Sequence, residues 1–264
     1  MSEPTLCIED DVRVRSLRFK LDEFYERTTD YLAFQGISDH RSCWGHIRTV
    51  IDQVLAEGGK CRVLEVGAGR TGFARSLGEC RSRVHFIAQD VTGQNKEFLE
   101  QEADAVHVGD IATLETTVDI VFSTFVLEHV TNPRRHLEDC WARLRPGGTL
   151  FIFCPRYDFP GYLSHSADHR GALSRARLAA GLLFHRFVTL LTSRPAFLVH
   201  VDPSVFHLPW AIDRDAVHWV SLFDLRCLFA GRGKVRPLKL SAGAGKDWIV
   251  KRWLQVAVMI TNTP

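Results

Sequence analysis

The stretch Val63-Leu64-Glu65-Val66-Gly67-Ala68-Gly69-Arg70-Thr71-Gly72 sets an apolar run directly before a glycine-rich turn. Such a turn lets backbone come close to a ligand, and a helix after it offers free N–H groups and a positive dipole end to a phosphate or carboxylate. A nucleotide-bearing ligand suits this spacing, although a plain strand-turn-helix connection or a nicotinamide dinucleotide fold leaves a similar trace. Asp90 stands 23 residues beyond Gly67, at the end of a second apolar run, where a carboxylate accepts from ribose hydroxyls. Asp110 closes a third run in Gly109-Asp110-Ile111. Histidines form the other chemical set. His129 lies in Leu127-Glu128-His129-Val130, and His165, Asp168 and His169 crowd together further on. An imidazole near its ordinary pKa exchanges protons at neutral pH, which makes His129, His165 and His169 the candidate catalytic groups. His165-x-x-Asp168-His169 is a poor magnesium site, because that ion prefers oxygen ligands and no third carboxylate stands at fixed spacing, so no metal is expected.

These residues need elements to hold them. Strands are predicted around Val63, at 84–90, 105–111, 118–123 and 149–154, and two more at 235–240 and 253–261. Helical spacing of Ile47, Val50, Ile51, Val54 and Leu55 predicts an amphipathic helix over 46–56. Asn132 as cap and Pro133 at the first position open another, which closes near Leu144-Arg145-Pro146-Gly147-Gly148. Further helices are expected over 171–191 and 217–230 and in the aromatic-rich segment before residue 45. Alternating strands and helices imply a doubly wound α/β sheet.

The chain resembles the class I S-adenosylmethionine-dependent methyltransferases, within the small-molecule group that carries L-E-V-G-x-G. Glu65 to Gly69 match the first motif, Asp90 the acid after the second strand, and Gly109-Asp110-Ile111 the adenine-side motif. Phe125 to Val130 match the loop after the fourth strand and Leu144 to Leu150 the turn into the fifth, so close similarity covers residues 45 to 155. The resemblance implies a seven-stranded, mostly parallel, Rossmann-like sheet that binds S-adenosylmethionine. It implies that Glu65, Gly67, Ala68 and Gly69 wrap the methionine part and that Asp90 accepts both ribose hydroxyls. Asp110 would accept from the adenine amino group between Val91 and Ile111, with Thr124 and Phe125 in the loop beside it. Many members have a third glycine where this chain has Thr71, which leaves Arg70 or Thr71 to reach the cofactor differently. The implied layout is an N-terminal helical lid over 1–45, in which Tyr25, Tyr31 or Trp44 lines the site, and a methyltransferase domain over 46–264. That domain carries a substrate-cap insert at about 156–212, after the fifth strand.

Composition sets the outer bounds. The chain has 264 residues, 45% of them apolar, which suits one doubly wound domain with an insert. Seven cysteines without a Cys-x-x-Cys pair form neither a disulfide framework nor a zinc signature, and a cytoplasmic setting is expected. The net charge of +2 hides an asymmetry, −6 over residues 1–155 and +6 over 156–239. The basic half suits an anionic small-molecule acceptor met by Arg156, Arg170, Arg175 and Arg177. It lacks the dense basic-aromatic stripe of a nucleic-acid groove, so no nucleic-acid partner is expected. No run is long enough to span a bilayer, and the apolar helix at 171–191 is expected to be buried against the core rather than to rest on a membrane surface. The expected activity is methyl transfer to a small-molecule or glycan-type acceptor, at oxygen. Its rivals are a protein or nucleic-acid methyltransferase and a non-catalytic cofactor-binding regulatory subunit. Oligomeric state is open.

Overall fold

The computed structural model describes residues 5–8, 11–27, 36–38, 40–159, 161–167, 170–201 and 213–262. A short strand β1 (Thr5–Ile8) and helix α1 (Val12–Arg27) come first, followed by α2 (Arg41–Ala56) and β2 (Cys61–Val66). Then come α3 (Phe73–Ser76), β3 (Val84–Asp90), α4 (Lys96–Glu102), β4 (Ala105–Val108) and β5 (Val118–Thr124). The second half holds α5 (Pro133–Ala142), β6 (Leu144–Pro155), α6 (Ala172–Thr192), β7 (Leu198–Val201), α7 (Leu222–Leu228), β8 (Gly233–Pro237), α8 (Lys246–Trp253) and β9 (Gln255–Asn262).

Seven strands join in the order β4-β3-β2-β5-β6-β9-β8. β2 to β6 run parallel, while β9 is antiparallel to both β6 and β8. This is the doubly wound, seven-stranded sheet that the alternating pattern predicts. Its strands are apolar on both faces, as a sheet covered on both sides requires. Successive residues go to opposite layers: Val63, Phe151 and Phe153 pack with α2 through Trp44, Ile47 and Ile51, whereas Leu64, Leu150 and Ile152 pack with α5 and α7 through Leu137, Leu225 and Phe229. Each such side chain, fully buried, contributes roughly 1.5–3 kcal/mol. The predicted cap on α5 is present: Asn132 Oδ1 accepts the Arg135 N–H at 3.2 Å, with Pro133 next in line.

Three departures from expectation have local causes. α2 starts at Arg41, a full turn before residue 46, because Cys43 and Trp44 continue its buried stripe. The helix after the glycine turn is only Phe73–Ser76, since Gly78 at φ +55° breaks it. α8 is absent from the sequence reading; it is short, follows Gly243 and Gly245, and buries no residue fully.

The chain outside the sheet builds a second layer. β1 pairs antiparallel with β7, Thr5 opposite Val201. Val14, Leu17 and Leu21 of α1 pack on Val199 and Val217, so the N-terminal segment and the insert after β6 share one apolar cluster. A further cluster inside the insert gathers Tyr157, Leu178, Leu182 and Trp219. Arg186 of α6 is 5% exposed and points inward, with Nη1 donating to Asp224 at 2.7 Å and Nε 3.4 Å from Asp158. The expectation that α6 is explained by burial is corrected. It buries only Leu178, Leu182, Arg186 and Thr189, leaving Leu173, Leu183, Phe184, Phe187, Leu190 and Leu191 exposed. Among the described residues no helix is long and apolar enough to cross a membrane, and all seven cysteines are free.

Candidate functional site

A cavity of about 230 Å³ opens at the carboxyl ends of β2, β3, β4 and β5, roofed by α1. Its floor is the glycine turn. Gly67 (φ +69°) and Gly69 (φ +52°) both occupy the left-handed region, and a Cβ on Gly67 would sit 2.4 Å from Val126 Cγ2. Only glycine lets the β2 turn and the β5 loop come this close. Gln89 holds the turn in place: its Oε1 accepts the Gly67 N–H at 3.1 Å while its Nε2 donates to the Gly109 carbonyl at 2.6 Å.

Asp90 stands beside it, 8% exposed. Oδ2 accepts the Gly69 N–H at 2.9 Å and Oδ1 the Thr92 N–H at 3.2 Å. The Val91 N–H and the Asn95 side chain also donate to this carboxylate. Burial lifts the Asp90 carboxyl above its ordinary range, against the N–H groups that favour the charged form. Asp110 caps the turn at Ile111, its Oδ1 accepting the Ala112 N–H at 3.0 Å, and its Oδ2 meets Arg18 of α1 at 3.0 Å. Burial would raise this carboxyl too, but the Ala112 N–H and Arg18 prevail and hold it low.

The opposite wall carries His129. Its Nδ1 lies 3.3 Å from Asp215 Oδ2, which also accepts from the Tyr25 hydroxyl at 2.6 Å. Glu128 lies behind the ring, fully buried, and neither carboxylate oxygen has a hydrogen-bond partner among the described residues. One ligand-type atom each of Glu128, His129 and Asp213 fall within 4.8 Å of one another, and Asp213 accepts from the Tyr157 hydroxyl at 2.5 Å. So many carboxyls around one imidazole demand a cation. Burial opposes charge on His129, yet Asp215, with Glu128 and Asp213 behind it, outweighs burial and pushes the imidazole up to about 10. Asp215 stays low in spite of burial because of His129 and Tyr25, while burial lifts Glu128 to about 8. Near neutral pH the ring is therefore an imidazolium, and it supplies the positive charge this acidic pocket needs.

Three contacts clamp α1 over the cavity: Arg18 to Asp110, Tyr25 to Asp215, and Gln94 Nε2 to the Tyr25 carbonyl at 2.6 Å. Phe125, at φ +57°, turns the β5 loop into the cavity and rests against His40, ring centroids 5.0 Å apart.

Comparison with known proteins reads the same architecture. Residues 64–152 match the family model described as a methyltransferase domain. That match, with S-adenosylmethionine-dependent methyltransferases among the relatives, supports a class I S-adenosylmethionine-dependent methyltransferase domain over this segment. A tRNA 5-carboxymethoxyuridine methyltransferase of Escherichia coli is 35% identical over 130 residues, 44% of this chain and 48% of the relative. The chain thus spans about half the length of that relative. A probable S-adenosylmethionine-dependent methyltransferase of Mycobacterium tuberculosis is 26% identical over 216 residues, 77% of this chain and 73% of the relative. Among solved structures, the 1,6-didemethyltoxoflavin-N1-methyltransferase of Burkholderia thailandensis superposes with a TM-score of 0.54 at 11% identity, covering 100% of this chain and 97% of that one. That likeness confirms the fold.

Of the residues that the methyltransferase motifs single out for the cofactor, Gly67, Gly69, Asp90, Val91, Asp110, Ile111 and Phe125 line the cavity. Glu65, Ala68 and Thr124 do not; they are buried behind the lining. Neither Arg70 nor Thr71 reaches in: Arg70 stacks over Phe98 at 4.8 Å, and Thr71 Oγ1 accepts the Phe73 N–H at 3.1 Å. Tyr25 lines the cavity as expected of the N-terminal helix, while Trp44 is core. His129 is on the wall; His165, exposed in a short turn, is not part of the lining. His169, Asp168 and Tyr31 lie outside the described residues. Arg18, Gln89, Gln94 and Asp215 were missed. Arg18 and Asp215 meet the site across long chain separations, 92 residues for Arg18 and Asp110 and 190 for Tyr25 and Asp215, while Gln89 and Gln94 flank Asp90 in a stretch with no pattern to mark them.

Proposed function

We propose that the protein transfers the methyl group of S-adenosylmethionine to an anionic oxygen, a carboxylate or an acidic hydroxyl, of a small acceptor. Bound S-adenosylmethionine supplies an electrophilic methyl on a sulfonium. Asp90 would accept the two ribose hydroxyls, Gly67 and Gly69 would leave space for the methionine part, with Glu65, Ala68 and Thr124 supporting the turn from behind, and Asp110 with Val91 and Ile111 would receive the adenine. Phe125 would wall the reacting end. α1 would serve as lid and the insert after β6 as substrate cap.

The observation that carries the acceptor class is the His129, Asp215 and Tyr25 chain at the cavity wall. A histidine held protonated is a poor base at neutral pH, but a good donor to an oxygen that already bears charge. Such an oxygen needs no proton removed, and its displacement at the sulfonium is driven by positioning. The net charge of +6 over residues 156–239 favours the same class. So does the carboxymethoxy group in the name of the tRNA-modifying relative. That relative also keeps a second reading in play, a polynucleotide acceptor. The seven free cysteines fit a cytoplasmic setting.

The test is calorimetric titration with S-adenosylmethionine and its demethylated product, then methyl transfer from labelled cofactor to carboxylates, phenols, neutral sugars and tRNA. Carboxylates and phenols should be methylated, and His129→Gln should raise the acceptor KM with cofactor binding unchanged. Preferential methylation of neutral hydroxyls, with a rate that climbs toward pH 10, would assign His129 as a base and overturn the anionic-acceptor reading. Methylation of tRNA alone would install the second reading.

A further inference from the structure

We propose that α6 docks the protein on an anionic membrane surface, its outer face lying in the headgroup layer. The helix has two apolar stripes. Leu178, Leu182 and Thr189, with Arg186 between them, face the insert and are buried. Leu173, Phe184, Phe187 and Leu191 lie along the opposite side, flanked by Leu183 and Leu190, and all six are 52% to 69% exposed. Isolated exposed apolar residues are ordinary; six large ones on one helix face are a patch that marks an interaction surface.

Charge identifies the occupant. From residue 169 to 201 there is no aspartate or glutamate, and there are five arginines. Arg186 is used inside the insert. Arg175 and Arg177 sit exposed near the start of the helix, and Arg194 sits exposed just after its end. An apolar face with arginines at both ends and no acid is the pattern of a helix that lies in a membrane interface. At about 1.5 Å per residue the 21-residue helix covers roughly 30 Å in the membrane plane.

A second copy of the chain fits this face less well. A twofold pairing of two such helices brings Arg175 and Arg177 of one copy toward Arg194 of the other, with no carboxylate in the segment to offset them. Anionic headgroups meet both ends at once. The docking is independent of the acceptor proposed above, because α6 carries no residue of the cavity lining.

The experiment is co-sedimentation of the full-length chain with phosphatidylcholine vesicles, with and without phosphatidylglycerol, at low and high salt, alongside sedimentation velocity without lipid. The wild type should bind phosphatidylglycerol vesicles at least about 10-fold better than neutral ones, and salt should weaken the binding. Phe184→Ser with Phe187→Ser should abolish vesicle binding while calorimetric affinity for S-adenosylmethionine is unchanged, which also reports that the variant is folded. Arg175→Glu with Arg194→Glu should remove the preference for anionic lipid. Failure of the wild type to bind anionic vesicles overturns the proposal. A dimer that the Phe184→Ser, Phe187→Ser variant dissociates, without vesicle binding, would reassign the face to self-association.

Discussion

Asp215→Asn tests the electrostatic core of the site with almost no change of shape. In the native chain His129 is pushed from 6.5 to about 10. At about 1.4 kcal/mol per unit, that span corresponds to roughly 5 kcal/mol of preference for the imidazolium, owed first to Asp215. Asparagine retains an acceptor for Tyr25 but removes the nearest charge, so burial regains the upper hand and the His129 pKa should fall by at least about 2 units. The folded pKa of His129 lies above its unfolded value. The pair therefore stabilises the fold fully below about pH 6.5, provided Asp215 is ionised, and that contribution drains away as pH rises through about 10. The His129 side chain is 22% exposed and Asp215 only 4%, which places the loss in the variant at roughly 3 kcal/mol near pH 6, shrinking toward zero above about pH 10. Two measurements check this: ring-nitrogen NMR titration of His129, assigned with His129→Gln, and urea denaturation of both proteins at the two pH values. If His129 titrates near 6.5 in the native protein, or if the stability gap is the same at both pH values, the imidazolium argument is wrong and the acceptor class built on it falls.

Asp90→Ala should weaken S-adenosylmethionine binding by about 100-fold or more in calorimetry, since two charge-assisted hydrogen bonds at roughly 1.5–3 kcal/mol each are lost; near-native affinity would mean that the ribose sits elsewhere. Gly67→Ala combines a left-handed φ with a Cβ 2.4 Å from Val126, so thermal melting should report a loss of about 2–4 kcal/mol together with weakened cofactor binding. Adding Val126→Ala should restore part of both, and no recovery would show that backbone strain alone sets the cost. Arg186→Met leaves Asp224 buried without a counter-charge and Asp158 with Arg156 alone and should cost about 3–5 kcal/mol in chemical denaturation; a loss under about 1 kcal/mol would show that the carboxyls take up protons cheaply.

The residues proposed for the cofactor were legible because local geometry sets them. A parallel strand must end near the ligand, the next βα turn begins there, and so Gly67, Asp90 and Asp110 fall at spacings imposed by strand and crossover lengths. The acceptor half obeys no such constraint. Asp215 reaches His129 from the far side of the insert and Tyr25 reaches Asp215 across 190 residues, and neither pairing leaves a period or a fixed gap in the chain. Hydrophobic pattern misled in one place for a related reason: Leu178 to Leu191 reads as a core helix, but periodicity reports only that a face is apolar and is silent on what covers it. The aromatic-rich N-terminal segment and the resemblance likewise marked Trp44 as a lid candidate, although its ring packs edge-on against Phe73 in the core.

The same division explains how one fold serves unrelated acceptors. The glycine turn and Asp90 lie in the sheet and its turns, where Gln89 ties the β2 turn to the loop after β4 and a change in one displaces the other. The acceptor side is assembled from α1 and the insert, which cohere through their own apolar cluster rather than through the sheet. A change in that layer leaves Asp90 and the glycine turn in place, so the fold by itself does not fix acceptor chemistry. His129 is the hinge between the two. It belongs to the β5 loop, a family feature, yet its charge is dictated by Asp215, a residue of the layer that varies. A relative keeping this histidine but lacking a carboxylate at the position of Asp215 should hold it neutral, and would then be able to take a proton from an uncharged hydroxyl where this chain orients an anion.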